Sequence, residues 1–210
     1  MSDQAQDKKA QILNAAAAVL AKSGVQRLSF DNIAYEAGLS RQLVRYYYSD
    51  LDALMVELCD HLAGIYYKLL VGGILEVKKV ERLDFFLDFF FDLAAGHPMP
   101  INLETYDALV AYSVGAPQLK VRMCDQYRTL GQAVVHELAI AHPELGKAAC
   151  EELSFMFVSM MHAHWSFVAS LGYSRDHSKL ARKAIDRLIK SYLADASDVP
   201  VIERPWSREA

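Results

Sequence analysis

The stretch FDNIAYEAGLSRQLVRYYY, Phe30 to Tyr48, decides how the rest of the chain is read. Its close, Ser40 to Tyr48, packs two arginines and three tyrosines around Leu43 and Val44. A core has no use for the arginines, and a plain solvated face has no use for so many rings. Ser29 stands where an N-cap begins a short helix ending before Gly38, and Ser40 caps a second helix ending near Tyr48. Gly38 can take positive φ at the turn without a Cβ clash. Ala34 is small where the second helix must cross close above it. Ile33, Ala37, Leu39 and Val44 have the spacing to fill the wedge between the two. The pattern is a helix-turn-helix.

Once Val44 points inward, the 3.6-residue period puts Ser40, Arg41, Gln42, Leu43, Arg45 and Tyr46 around the exposed face and start of the second helix. These residue types suit a DNA groove. Arginine bridges guanine O6 and N7, glutamine bridges adenine N6 and N7, and Leu43 can pack on a thymine methyl. Ser40, Arg45 and Tyr47 are placed to hold phosphates, helped by the amides at the helix start. Tyr48, four residues beyond Val44, is expected to pack inward. Tyr47 is open to either role.

The bulk numbers neither announce nor forbid such a partner. The 210-residue chain is 53% hydrophobic, enough for a sizeable core, and carries a formal net charge of -4. Between residues 22 and 47, however, Lys22, Arg27, Arg41 and Arg45 outnumber Asp31 and Glu36, so a mildly basic head sits on an acidic body. Cys59, Cys124 and Cys150 are scattered and form no C-x-x-C, which argues against a disulfide framework or zinc ribbon and fits a reducing cytoplasm. The polar start MSDQAQDKKA shows no signal peptide. Leu153 to Ser174 lacks any Asp, Glu, Lys or Arg and is long enough to span a bilayer. Its serines, two histidines and Gly172 point instead to a helix buried by protein on several sides.

Nearly everything reads at helical spacing, with no sustained period-2 alternation. The expectation is an all-α chain of about nine helices. A first helix runs from about Asp7 to Ser23, and a fourth begins at Asp50 and weakens around Gly72-Gly73. Others cover Glu81 to Ala95 (ended by His97 to Pro100), Ile101 to Val114, Gln118 to Ala141, Glu144 to Leu171 and Arg175 to Ala194. Asp84, Asp88 and Asp92 line one wet edge of the FFLDFFFDL helix. Residues 1–49 are assigned to a three-helix DNA-binding head, residues 50–196 to a helical ligand-binding and dimerisation body, and residues 197–210 to a loosely ordered tail.

From about Lys9 to Leu54 the chain resembles the DNA-binding head of the TetR family of transcriptional regulators. The resemblance is carried by ILNAAAAVLAKSG, LSFDNIAYEAGLS, the tyrosine-rich close and DALM. It implies that Ser29 contacts phosphate and that the helix from Ser40 to Tyr48 enters the major groove. Three positions depart from the family's habit. Arg45 stands for a tyrosine, Gln42-Leu43 for a small pair such as Gly-Thr, and Leu51 for a lysine that would meet phosphate. Arg45 can replace that contact, and the operator should differ accordingly.

The resemblance further implies a homodimer built from the last two long helices and a ligand cavity in the body. Ser159, Ala163, Ser166 and Ser170 form a small-residue stripe that lets two helices approach closely. Leu180, Ala184 and Leu188 give the last helix an apolar stripe of its own, which continues to Tyr192. A seam inside one subunit is the alternative. Candidate ligand contacts are Phe86, Phe89, Phe90, Tyr106, Tyr112, Tyr127, Phe155, His162 and Trp165, which would suit a small apolar or aromatic effector. His162 and His164, two apart on a helix, point too far apart to share one metal ion, so a structural or ligand-bonding histidine is preferred and no metal or cofactor is expected. Asp107 and His136 are further candidates for a distant cluster.

The function these observations imply is a ligand-responsive, dimeric, cytoplasmic regulator, a repressor by family habit, that binds a palindromic double-stranded DNA operator and no membrane. An enzyme built on His162 and His136 lacks any nucleophile elbow, phosphate loop or H-E-x-x-H. An interaction protein that has lost DNA binding is favoured only by Leu51.

Overall fold

A computed structural model of the chain describes residues 3–100, 103–195 and 205–206. Among these residues there are nine α-helices and no strand. They are α1 (Asp3–Ser23), α2 (Phe30–Ala37), α3 (Arg41–Tyr47), α4 (Leu51–Glu76), α5 (Arg82–Phe90), α6 (Glu104–Ser113), α7 (Pro117–Ala141), α8 (Lys147–Trp165) and α9 (His177–Ala194). A single π-helical turn, Ser166–Ser170, follows α8. Most of the tail assigned to residues 197–210 lies outside the described residues; only Pro205 and Trp206 are placed, in a turn.

The helices group into two compact units, residues 1–66 with 100–124, and residues 67–99 with 125–210. Packing therefore groups α6 with the head, although it lies far along the sequence.

The first unit is built on the apolar stripe of α1. Ile12, Ala16 and Leu20 are buried, and Ile33, Val44, Leu54, Met55 and Leu58 close over them. Each large aliphatic side chain removed from water in this way contributes about 1.5–3 kcal/mol. Polar ties fix how the helices sit within the unit. Lys9 reaches Glu57 at 2.7 Å, Tyr112 donates to Asp52 at 2.6 Å, and Arg122 pairs with Asp60. Burial, and then the bond to Asp52, push the Tyr112 phenol up to about 12. The Asp50 carboxylate caps α4 by accepting from the Ala53 amide at 2.8 Å, as its position before Leu51 requires.

The second unit has an aromatic core. Phe86, Phe90 and Phe91 pack with Phe157, Phe89 meets Phe90 edge to face, and Trp165 donates its indole N–H to the Phe90 carbonyl at 2.7 Å. Trp206 lies against Phe155, ring centroids 5.3 Å apart, over Gly131.

Three boundaries and one pair of faces depart from the sequence reading. α4 does not weaken at Gly72-Gly73 but runs on to Glu76, and Gly73 is glycine for space: a Cβ there would fall 2.0 Å from the Phe85 ring. α5 stops at Phe90, short of Ala95, because Asp92 takes φ 56. The Leu93 and Asp92 amides then bond the Asp88 and Phe89 carbonyls, a Schellman closure with aspartate in the usual glycine position. The Asp92 carboxylate steadies that turn by accepting from the Met99 amide and from Arg175. α8 gives way to the π turn after Trp165 instead of continuing to Leu171.

The fourth difference concerns faces. Asp84, Asp88 and Asp92 do not line a wet edge alone: Arg182 bonds Asp84 and Asp88, with Asp186 beside them. Burial works against the Arg182 charge, but the bonds and charges of Asp186 and Asp88 outweigh it and hold the guanidinium above its usual value. Consequently α9 buries Ser178, Arg182, Ile185 and Ile189, not the stripe Leu180, Ala184 and Leu188. Leu153 to Ser174 is buried along one face only. Among the described residues the helix long and apolar enough to cross a membrane, by length and composition alone, is α4.

Candidate nucleic-acid interface

Local chemistry sets the angle between α2 and α3. The Ser29 hydroxyl accepts from the Asn32 amide at 3.2 Å and starts α2. Gly38, at φ 64 and ψ 32, ends it, with the Gly38 and Leu39 amides bonding the Tyr35 and Ala34 carbonyls. The Ser40 hydroxyl then accepts from the Leu43 amide at 3.2 Å and starts α3. Each serine keeps its own O–H free to donate to a phosphate.

Val44 is fully buried and Tyr48 nearly so. Burial, and then the Glu57 carboxylate, push the Tyr48 phenol up, and Lys9 lies over its ring. That leaves Ser40, Arg41, Gln42, Arg45 and Tyr46 exposed, with Leu43 and Tyr47 half-buried. The Tyr46 and Tyr47 rings meet edge to face at 5.3 Å. Arg41 forms an ion pair with Asp31 at 3.2 Å, and the Arg45 guanidinium lies 5.6 Å from the Phe30 ring centroid. The surface therefore presents guanidinium, amide, hydroxyl and phenol groups on a short rod anchored by one aliphatic residue.

The ligand candidates are divided between the units. Tyr106, stacked edge to face on Tyr66, and Tyr112 belong to the first. Phe86, Phe89, Phe90 and Trp165 fill the core of the second, where Tyr127 bonds His162 at 2.8 Å and Phe155 is partly exposed under Trp206. His164 bonds Ser178, and burial, then the charge of His177, lower its pKa. Among the described residues no group of three potential ligands is placed to hold a metal ion. Ser159, Ala163, Ser170 and Leu180 are exposed, and Ser166, Ala184 and Leu188 are half-buried. Around them Phe155, Met156, Phe167, Leu171 and Tyr173 are also exposed.

Residues 12–58 match the profile of the bacterial regulatory proteins of the tetR family. The matched segment holds the whole α2–α3 turn and its anchor on α1 and α4. Over that segment the chain is a tetR-family helix-turn-helix head.

Solved structures extend the likeness in fold over most of the length. A TetR transcription regulator from Haloarcula marismortui superposes with TM-score 0.73 at 17% identity, covering 89% of this chain and 98% of that one. A TetR-like regulator from Rhodococcus sp. RHA1 gives 0.65 at 20%, covering 90% and 96%. A protein from Saccharomonospora viridis in complex with choline gives 0.70 at 16%, covering 88% and 96%. No curated protein matches the chain in sequence.

Within this head, sequence reasoning missed the contacts of Phe30 and Asp31, which reach the two arginines of α3 from the first turn of α2. Nothing in their spacing signals it, because the contact crosses the turn. It also missed Tyr35, almost wholly exposed on α2. Its place beside buried Ile33 and Ala34 on a short helix was the available signal.

Proposed function

We propose that this protein is a TetR-family transcriptional regulator, a cytoplasmic homodimer that binds a palindromic DNA operator through α3 and leaves it when a small apolar or aromatic effector occupies the body. One observation carries the reading. Val44 is locked inward while Arg41, Gln42, Arg45 and Tyr46 are left to the outside, so the helix is held for use rather than packed away. Arg41 and Gln42 read base edges, Leu43 meets a thymine methyl, and Ser29, Ser40, Arg45 and Tyr47 hold phosphates. Residues 1–49 do the reading, and residues 50–196 bind the effector and the second subunit.

The dimer is supported by the exposed apolar row on α8 and the π turn, beside an α9 stripe that its own unit leaves partly uncovered. Two-fold pairing would present two α3 helices to successive major grooves. An effector is supported by the ring-rich second unit and by ligands in proteins of like fold: choline in the Saccharomonospora viridis protein and imidazole in the multidrug-binding protein EbrR. Binding acts on DNA only by favouring one arrangement of the dimer over another. Gel shift with duplexes from around its own gene tests the reading. Salt-sensitive, sequence-selective binding well below micromolar concentration is expected, and its absence refutes the reading.

A further inference from the structure

Phe30 and Asp31 are neighbours in the first turn of α2, and each reaches a different arginine of α3. Asp31 Oδ2 lies 3.2 Å from Arg41 Nη1. The Phe30 ring lies 5.6 Å from the Arg45 guanidinium. Both cations that the recognition helix offers are thus held from the other helix. The Arg41–Asp31 pair is too exposed, at 55% and 63% of the two side chains respectively, to add much to folding. Its effect belongs to the bound state, where docking strips away water and strengthens the attraction.

A guanidinium has five donors in a rigid fork. Asp31 engages one nitrogen and leaves donors for two acceptors on a base edge, while fixing the direction in which they point. A carboxylate this close to a duplex is repelled by phosphates unless it is paired. Asp31 therefore tolerates DNA only while Arg41 stays beside it. Phe30, by contrast, offers Arg45 a ring face, which steers a cation without taking its hydrogen bonds.

We propose that Asp31 and Phe30 are positioning residues for operator recognition. Asp31 aims Arg41 at one base of each half-site and Phe30 aims Arg45 at the backbone, neither touching a base itself. The inference rests on α3 being the operator-reading helix.

Selection from a randomised duplex pool, with the full-length protein and measured affinities for the winners, tests both levels separately. Wild type is expected to enrich a two-fold symmetric sequence. Arg41→Ala flattens one base position per half-site by about 5- to 150-fold, the range for one bidentate arginine–guanine pair. Asp31→Asn, with melting temperature little changed, loses about three- to tenfold of the preference at that same position, part of the arginine's own discrimination. The negative charge it removes should raise non-specific affinity, so base preference and not affinity is the readout. The double variant binds more tightly than Arg41→Ala, because no unpaired carboxylate faces the phosphates. Phe30→Leu weakens binding evenly and leaves base preference intact. If Asp31→Asn selects as wild type does, or the double variant binds no better than Arg41→Ala, the positioning role is wrong while the operator reading stands. If wild type enriches nothing, the operator reading itself fails.

Discussion

Replacing Arg182 by methionine removes the guanidinium and keeps most of the aliphatic stem. Arg182 is only 10% exposed and donates to Asp88 at 2.7 Å, to Asp84 at 2.8 Å and to Asp186. Breaking a fully buried ion pair costs about 3–5 kcal/mol, most of it for the charge left stranded. Here the stranded groups are the carboxylates, Asp84 77%, Asp88 38% and Asp186 42% exposed, and water can take them up. The loss is then nearer one hydrogen bond to a charged group, about 1.5–3 kcal/mol. Repulsion between Asp84 and Asp88, four residues apart on α5, adds about 0.2–0.5 kcal/mol. The expected destabilisation is therefore about 2–3 kcal/mol. Asp84→Asn, at the most exposed partner, should stay within about 0.5 kcal/mol. Urea unfolding followed by far-ultraviolet circular dichroism, at one fixed protein concentration, measures both. A methionine variant as stable as wild type, or an Asp84→Asn variant as damaged as the methionine one, would refute the ranking of burial over charge.

Two adjacent glycines should behave oppositely. Gly72→Ala meets open space in α4 and should stabilise by about 0.5–1 kcal/mol, whereas Gly73→Ala drives a methyl into the Phe85 ring and should destabilise by up to about 2 kcal/mol, both read by urea unfolding. Glu57 is penalised by burial, yet the bond from Lys9 and the nearby Tyr48 hydroxyl leave its carboxyl below the ordinary 4.5. Its stabilising effect is therefore present above pH 4.5 and lost as pH falls through the lowered value, so Glu57→Gln should flatten the acid limb of the stability profile below pH 4.5. Leu51→Lys, at the first residue of α4, should tighten operator binding and steepen the logarithmic salt slope by about 0.9 per half-site, measured by titration at several salt concentrations.

The α2–α3 turn was legible because every instruction for it is local. Ser29, Gly38 and Ser40 act on amides and carbonyls within a few residues of themselves, and Val44 had only one direction in which to point. The end of α5 was not legible, since Asp92 adopts a backbone region that aspartate seldom enters and is rewarded by Arg175, distant in sequence. The burial of Arg182 on α9 was not legible for the same reason. Leu180, Ala184 and Leu188 outscore Ser178 and Arg182 on hydrophobicity, and only Asp84 and Asp88 across the unit make the arginine the better residue to bury. The pairing of Phe30 and Asp31 with the α3 arginines was hidden likewise, because it depends on a crossing angle.

The chain's two tryptophans, Trp165 and Trp206, both stand in the second unit, one bonded deep in the phenylalanine core and the other half-covered on Phe155. Indole emission is therefore blind to the helix-turn-helix. Melting of the head would pass unnoticed in a fluorescence trace and show itself only through the tyrosines, whereas effector binding among the rings would be recorded with no label added.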